Sequence, residues 1–167
     1  MNKEVLILTG ACGVGKTTTA KAWAKSKQGA IIECDYLTEW ILKDGFPQWN
    51  EEEEKFTAHL SAIMTMEYLN RGLPVVIENV WSPLGFNILR NEFSKVDDIK
   101  VKSVWLKCER IENHKRDEQR VPEDQMKERV DIVNDELNGY DWPEYINILD
   151  TTNLTIENVL EAIKRFD

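Results

Sequence analysis

The chain alternates between short apolar runs and longer stretches with apolar positions three and four apart. Residues 5–8 form a continuous apolar run, Val-Leu-Ile-Leu, the pattern of a strand buried on both faces. A helical pattern follows over residues 16–27, with Ala20, Trp23 and Ala24 on one face and Lys21, Lys25 and Lys27 away from it; Gly29 ends it. Ala30-Ile31-Ile32-Glu33 reads as a second strand, a helical piece is expected over residues 37–43, and Asp44-Gly45-Phe46-Pro47 has turn chemistry. Asn50 is placed to cap a helix that carries Glu51 to Glu54 in its first turn and runs to about residue 70. Residues 74–80 are the third strand. Ser82-Pro83 starts a helix to about residue 93. Residues 101–106 are the fourth strand, followed by a charged helix over 109–120, a break at Val121-Pro122-Glu123-Asp124, and another helix to about residue 137. A loop over 139–143, a fifth strand over 145–149 and a last helix capped by Thr155 complete the chain. Strands that alternate with helices predict an α/β protein with a parallel sheet and helices on both faces.

Composition narrows the class. At 167 residues the chain is expected to be one domain over 1–167. A net charge of −9 argues against a nucleic-acid coat or an anionic membrane as the main partner. Cys12, Cys34 and Cys108 have no metal-ligand spacing and read as reduced thiols. No signal sequence or membrane span is visible, so a cytoplasmic protein is expected.

The first strand runs into Gly10-Ala11-Cys12-Gly13-Val14-Gly15-Lys16-Thr17, the pattern G-x-x-x-x-G-K-[ST] of a phosphate-binding loop. Its glycines let successive backbone N–H groups turn inward as an anion nest, and the next helix adds its positive dipole end. Gly10, Cys12, Gly13, Val14, Gly15, Lys16, Thr17 and Thr18 are the candidate nucleotide contacts. Lys16 would reach the β/γ-phosphates and Thr17 would ligate Mg²⁺.

Ligands of parallel α/β sheets bind beyond the carboxyl ends of the strands. Chemistry-bearing residues stand there after every strand. Glu33 and Asp35, two apart, can point to one side, one towards a metal-bound water and one towards an acceptor hydroxyl. Glu78 stands where a metal-holding carboxylate would end strand three, with Asn79 and Trp81 beyond it. Arg116 and Arg120, four apart on one helix face, suit the charge of a transferred phosphoryl group. Asp150, Thr151, Thr152 and Asn153 follow strand five. Trp40, Trp49 and Trp81 could wall an acceptor, whereas Trp23 and Trp105 read as core.

These residues resemble the small P-loop kinases of the shikimate kinase, gluconate kinase and chloramphenicol phosphotransferase type, along essentially the whole chain. The likeness rests on the phosphate loop, Glu33-Cys34-Asp35, Arg116-Asp117-Glu118-Gln119-Arg120 and the Ile148–Leu154 stretch. It implies a three-layer α/β/α sandwich with a five-stranded parallel sheet in the order 2-3-1-4-5. It further implies a short lid at about 116–126, an acceptor-binding helical region at about 36–71, and an adenine-edge loop that includes Thr152. The first acid of the pair would lie near Mg²⁺; here Glu33 stands where Asp is usual.

The expectation is therefore an ATP- and Mg²⁺-dependent kinase, monomeric or weakly dimeric, acting on a hydroxyl of a small molecule. Lys16, Asp35, Arg116 and Arg120 are the candidate catalytic residues; Thr17, Glu33 and Glu78 are the candidate metal ligands. Asp35, Trp40, Asn79 and Trp81 are the candidate acceptor contacts. No arginine lies between Asp35 and Asn70, Arg71 and Arg90 being nearest, which favours a neutral acceptor over a nucleoside monophosphate. A nucleotide or nucleic-acid end kinase, and an ATPase switch without an acceptor, are the competing readings.

Overall fold

A computed structural model describes residues 3–46, 48 and 50–166. Strands β1 (Lys3–Thr9), β2 (Ala30–Glu33), β3 (Val75–Glu78), β4 (Ile99–Lys107) and β5 (Asn147–Asp150) form one sheet, all pairs parallel, in the order β2-β3-β1-β4-β5. The expected order is the observed one. β1 is the central strand, and Val5, Leu6, Ile7 and Leu8 are 0% exposed, as its unbroken apolar run requires.

Helices α1 (Lys16–Lys27) and α7 (Ile156–Arg165) pack together on one face; α3 (Glu51–Asn70) and α4 (Pro83–Ser94) pack together on the other. Helices α5 (Arg110–Glu118) and α6 (Glu128–Gly139) follow β4, joined through a short 3₁₀ turn at Pro122–Asp124. The short helix α2 (Asp35–Glu39) follows β2 directly.

Caps legible in the chain are present. The Asn50 side chain accepts from Glu53 N at 3.0 Å, Ser82 Oγ from Leu84 N at 3.1 Å, and Thr155 Oγ1 from Asn158 N at 3.4 Å. Several boundaries move: α2 ends at Glu39 rather than residue 43, β3 spans Val75–Glu78 rather than 74–80, β4 starts at Ile99 rather than residue 101, and β5 spans Asn147–Asp150 rather than 145–149. α2 starts at Asp35 rather than residue 37, because Leu37 N already bonds Cys34 O at 3.0 Å and Thr38 Oγ1 bonds Asp35 O at 3.0 Å. α5 stops at Glu118, short of Arg120.

Trp23 and Trp105 are core residues, as expected, at 2% and 5% exposure. Trp142 stacks on Trp105 with 4.7 Å between ring centres and meets Phe86 edge-on at 6.0 Å. Among the described residues, no helix is long and apolar enough to cross a membrane.

Candidate active site

The phosphate loop leaves the end of β1 and enters α1. Gly13 has φ 81 and Gly15, at the N-cap of α1, has φ 97. A side chain at Gly13 would also collide with α5, since its Cβ would lie 2.6 Å from Asn113 Nδ2 and 3.0 Å from Asn113 O. Lys16 Nζ donates to Ala11 O at 3.2 Å, so the ammonium group lies back along the loop itself.

Thr17 and Glu78 meet although 61 residues separate them. Thr17 Oγ1 donates to Glu78 Oε1 at 2.7 Å. Sheet register explains it: Glu78 pairs with Leu8 of β1, immediately before the loop, and with Glu33 of β2. Burial pushes the Glu78 carboxyl above the usual range, opposed by Lys16 and the Thr17 bond and reinforced by Asp35 and Glu33.

Glu33 and Asp35 both lie near enough to Glu78 to raise its carboxyl, but they belong to different elements. Glu33 ends β2 and pairs with Lys21 of α1 at 3.2 Å, whereas Asp35 has already entered α2 and lines the larger cavity. The two-residue alternation that would align them applies only while both lie in one strand. Cys34 between them is buried, 3.2 Å from Ser61 Oγ, and burial raises its thiol far above the ordinary value. Among the described residues, no group of three His, Cys, Asp or Glu side chains is arranged to cage a metal. The hydroxyl and carboxylate oxygens of Thr17 and Glu78 suit Mg²⁺, which takes few protein ligands and completes its shell with water and phosphate.

Two cavities flank this centre. The smaller, about 210 Å³, is lined by Val14, Gly15, Thr18, Thr19, Arg116, Thr151, Leu154, Ile156 and Val159. Arg116 is fixed here. It donates to Glu112 Oε1 at 2.9 Å, Thr151 Oγ1 at 3.3 Å, Thr151 O at 3.0 Å and Thr152 O at 3.1 Å. Thr151, 3% exposed, holds Val14 O at 3.1 Å. Thr152 supports the loop without lining the cavity: its hydroxyl accepts from Glu109 N at 2.9 Å and also bonds Asp150.

Arg116 and Arg120 therefore do not converge. α5 ends between them, and Arg120 turns to Asp124 O at 3.4 Å and Asp117 at 3.7 Å. Helical spacing of four places two residues side by side only within one helix. Arg110 pairs with Asp131 and Asp135 of α6.

The larger cavity, about 410 Å³, opens beside Asp35 and Asn79 between α2, α3, the start of α4, and α6. Glu54 anchors one wall. Its carboxylate accepts from Ser82 N at 2.7 Å, Ser82 Oγ at 2.8 Å and Gly85 N at 3.2 Å, stabilising the N-terminus of α4. Gly85 is required by this closeness, since a Cβ there would lie 2.4 Å from Trp81 and 2.6 Å from Glu54.

The tryptophan expectations fail on this wall. Trp81 is 0% exposed and belongs to the core, and Trp40 is 70% exposed; neither lines the cavity. Trp81 turns inwards against the first turn of α4, while Trp40 sits at the end of the single turn of α2. Trp49 lies outside the described residues. Arg129, Glu136 and Tyr140 do line it, from α6 and the residue after it.

Two polar residues that carry no sequence signal complete the site. Asn113, 0% exposed, donates to Cys12 O and accepts from Asn134 Nδ2 at 2.8 Å. Asp117, 2% exposed, accepts from Met126 N at 2.9 Å and Lys127 N at 2.9 Å. On a helix this charged, both read in sequence as solvent-facing.

Residues 6–138 match the family described as an AAA domain. The chain belongs to that family. Its fold is shared with solved P-loop kinases. A gluconokinase from Sinorhizobium meliloti superposes with a TM-score of 0.72 at 18% identity, covering 98% of this chain and 91% of that one. The APS kinase of Mycobacterium tuberculosis, in complex with AMPPNP and APS, gives 0.70 at 18% identity, covering 98% and 96%. In sequence, the L-seryl-tRNA(Sec) kinase of Methanococcus maripaludis is 29% identical over 75 residues, 45% of this chain. The matched segment spans 29% of that kinase's length.

Proposed function

We propose that the chain is an ATP- and Mg²⁺-dependent phosphotransferase that moves the γ-phosphoryl group of ATP to a hydroxyl of a small molecule. The observation that carries this reading is the 2.7 Å contact of Thr17 with Glu78, on the loop that ends in Lys16 and beside the cavity that Asp35 lines. When bound, Mg²⁺ supplies positive charge to the phosphate oxygens. Thr17 and Glu78 would hold it. The backbone nest of the loop orients the phosphates, and Lys16 leaves Ala11 O to neutralise charge on them. Asp35 orients the acceptor hydroxyl and takes its proton at the carboxylate; a loose transition state asks more for this positioning than for strong basicity. Arg116 and Thr151 shape the pocket for the base and ribose of the nucleotide.

The cavity wall favours an acceptor without a phosphate or carboxylate of its own. Asp35, Glu51, Glu53, Glu54 and Glu136 line it with one guanidinium group, that of Arg129. The two other arginines near in sequence are elsewhere: Arg90 stacks on the Tyr145 ring at 4.1 Å, and Arg71 caps the far end of α3. An anionic acceptor would meet like charge at close range.

ATP consumption measured with and without a panel of sugars, polyols, amino alcohols, antibiotics and nucleosides tests the reading. Turnover should rise with one class of hydroxyl compound. ATP hydrolysis that no acceptor stimulates would favour an ATPase switch and sink the proposal.

A further inference from the structure

Helix α3 turns a polar face inwards. Core-facing helix positions are ordinarily apolar, yet Glu53, Thr57, Ser61 and Thr65, four apart, are all buried. Glu53 and Thr57 of this stripe line the larger cavity together with Glu51 and Glu54. Thr57 is 3% exposed, and its hydroxyl makes no hydrogen bond among the described residues. A buried hydroxyl without a partner is costly, and a polar ligand filling the cavity would satisfy it. We infer that this ligand, the phosphoryl acceptor, carries a protonated amine beside its reacting hydroxyl, as amino sugars and amino alcohols do. The inference deepens the phosphotransfer reading above and rests on it.

Charge on the wall carries the argument. Five carboxylates line the cavity, and among the described residues that line it Arg129 is the one cation. Glu54 is taken up by Ser82 and Gly85. Glu51 and Glu136 face the amine with their charge largely in place. Lys55 approaches Glu51 only to 3.8 Å and bonds Glu52 at 2.7 Å, and Glu136 accepts from the neutral Tyr140 hydroxyl at 2.8 Å. Burial, the Glu136 bond and the charges of Glu136 and Glu54 push the Tyr140 phenol up to about 12; the same negative field keeps a bound amine protonated. The volume, about 410 Å³, falls in the range of about 300–1,000 Å³ typical of small-ligand pockets. In the reaction the acceptor oxygen bonds to the γ-phosphorus as the bond from that phosphorus to the bridging oxygen breaks. ADP leaves with the electron pair, and the hydroxyl proton goes to Asp35. The ammonium group has no lone pair and cannot compete as nucleophile. Glu51 and Glu136 therefore determine specificity and touch no reacting atom.

Matched acceptors offered to the whole chain with ATP and Mg²⁺ test the inference. Each set keeps one skeleton, such as a hexose or a short diol, and varies one group as hydroxyl, amine, N-acetylated amine or carboxylate. The amine should exceed its N-acetylated counterpart in kcat/KM by at least about tenfold, the scale of one hydrogen bond to a charged group. That advantage should shrink as salt is raised. The double variant E51Q/E136Q, changed at two exposed side chains, should lose most of the advantage through KM rather than kcat. An undiminished advantage there would overturn the assignment of these two residues. Sets in which the neutral member equals or outperforms the amine would overturn the cationic acceptor and leave phosphotransfer standing. ATP turnover that no member of any set stimulates would overturn both.

Discussion

The smaller cavity has its arginine and a buried threonine fixed by hydrogen bonds, while the larger one has a carboxylate left to act. Around the smaller cavity, Arg116 makes four hydrogen bonds and Thr151 bridges Val14 and Lys107. At the larger one, the Asp35 side chain is exposed and makes no hydrogen bond or ion pair among the described residues. Walls held in place by hydrogen bonds suit a flexible ligand whose phosphates must be oriented before reaction. A carboxylate with open lone pairs suits a hydroxyl that must be oriented and deprotonated. The smaller cavity is thus walled by internally paired groups, whereas the larger one, although Glu54 and Glu136 are paired on its wall, keeps Asp35 open.

Lys16→Ala should break the donor half outright, lowering ATP-dependent turnover by at least about 10²–10³-fold; near-native turnover would remove Lys16 from its role. Asp35→Asn should break only the acceptor half. Transfer should fall by about 10²–10⁴-fold while ATP affinity, followed by calorimetry, stays native. Glu78→Gln and Glu33→Gln sharpen the donor side further. The first should raise the Mg²⁺ concentration needed for ATP binding by about 10–100-fold, and the second far less, because Glu33 is engaged with Lys21. An equal effect of the two would mean that the Thr17 contact does not mark the metal position.

The tryptophans give a contrast in stability. Trp81→Ala should cost about 3–5 kcal/mol in denaturant unfolding, since it empties a fully buried site, and Trp40→Ala, at 70% exposure, should stay within about 0.5 kcal/mol of native. The smallest effect concerns the link between α5 and α6. His114 Nε2 lies 3.0 Å from the Asp131 carboxylate and, with Arg110, holds its pKa below the ordinary value of 3.8. A lowered carboxyl stabilises the fold above its unfolded value, and that contribution disappears as pH falls through its folded value. The difference in melting temperature between native protein and Asp131→Asn should therefore be present near neutrality and close as the solution is acidified.

Much of the architecture was legible because it is local. Apolar runs marked five strands, Asn50, Ser82 and Thr155 announced their helices, and the order of elements left a parallel sheet as the outcome. Site residues were legible where a motif or a strand end exposed them, as with Lys16, Thr17 and Asp35. The expectation weakened wherever a contact depended on the end of an element. Arg116 and Arg120 were paired on a helix that stops two residues too early, and Glu33 and Asp35 were aligned on a strand that ends between them. The burial of Asn113 and Asp117 was invisible because a buried polar residue differs from a solvated one only in what surrounds it.

The stretch from Val5 to Thr17 determines a strand, an anion nest and a helix start by itself, since backbone preferences and glycine conformations act within a few residues. Which carboxylate meets Thr17, which arginine lines the smaller cavity and what charge the larger cavity carries were decided only by tertiary structure. Parallel register brings Glu78 to the end of β1, and the packing of α3, α4 and α6 collects the cavity's carboxylates from distant parts of the chain. Hydrogen bonds and charges act over a few ångströms of space, and separation along the chain does not measure that distance.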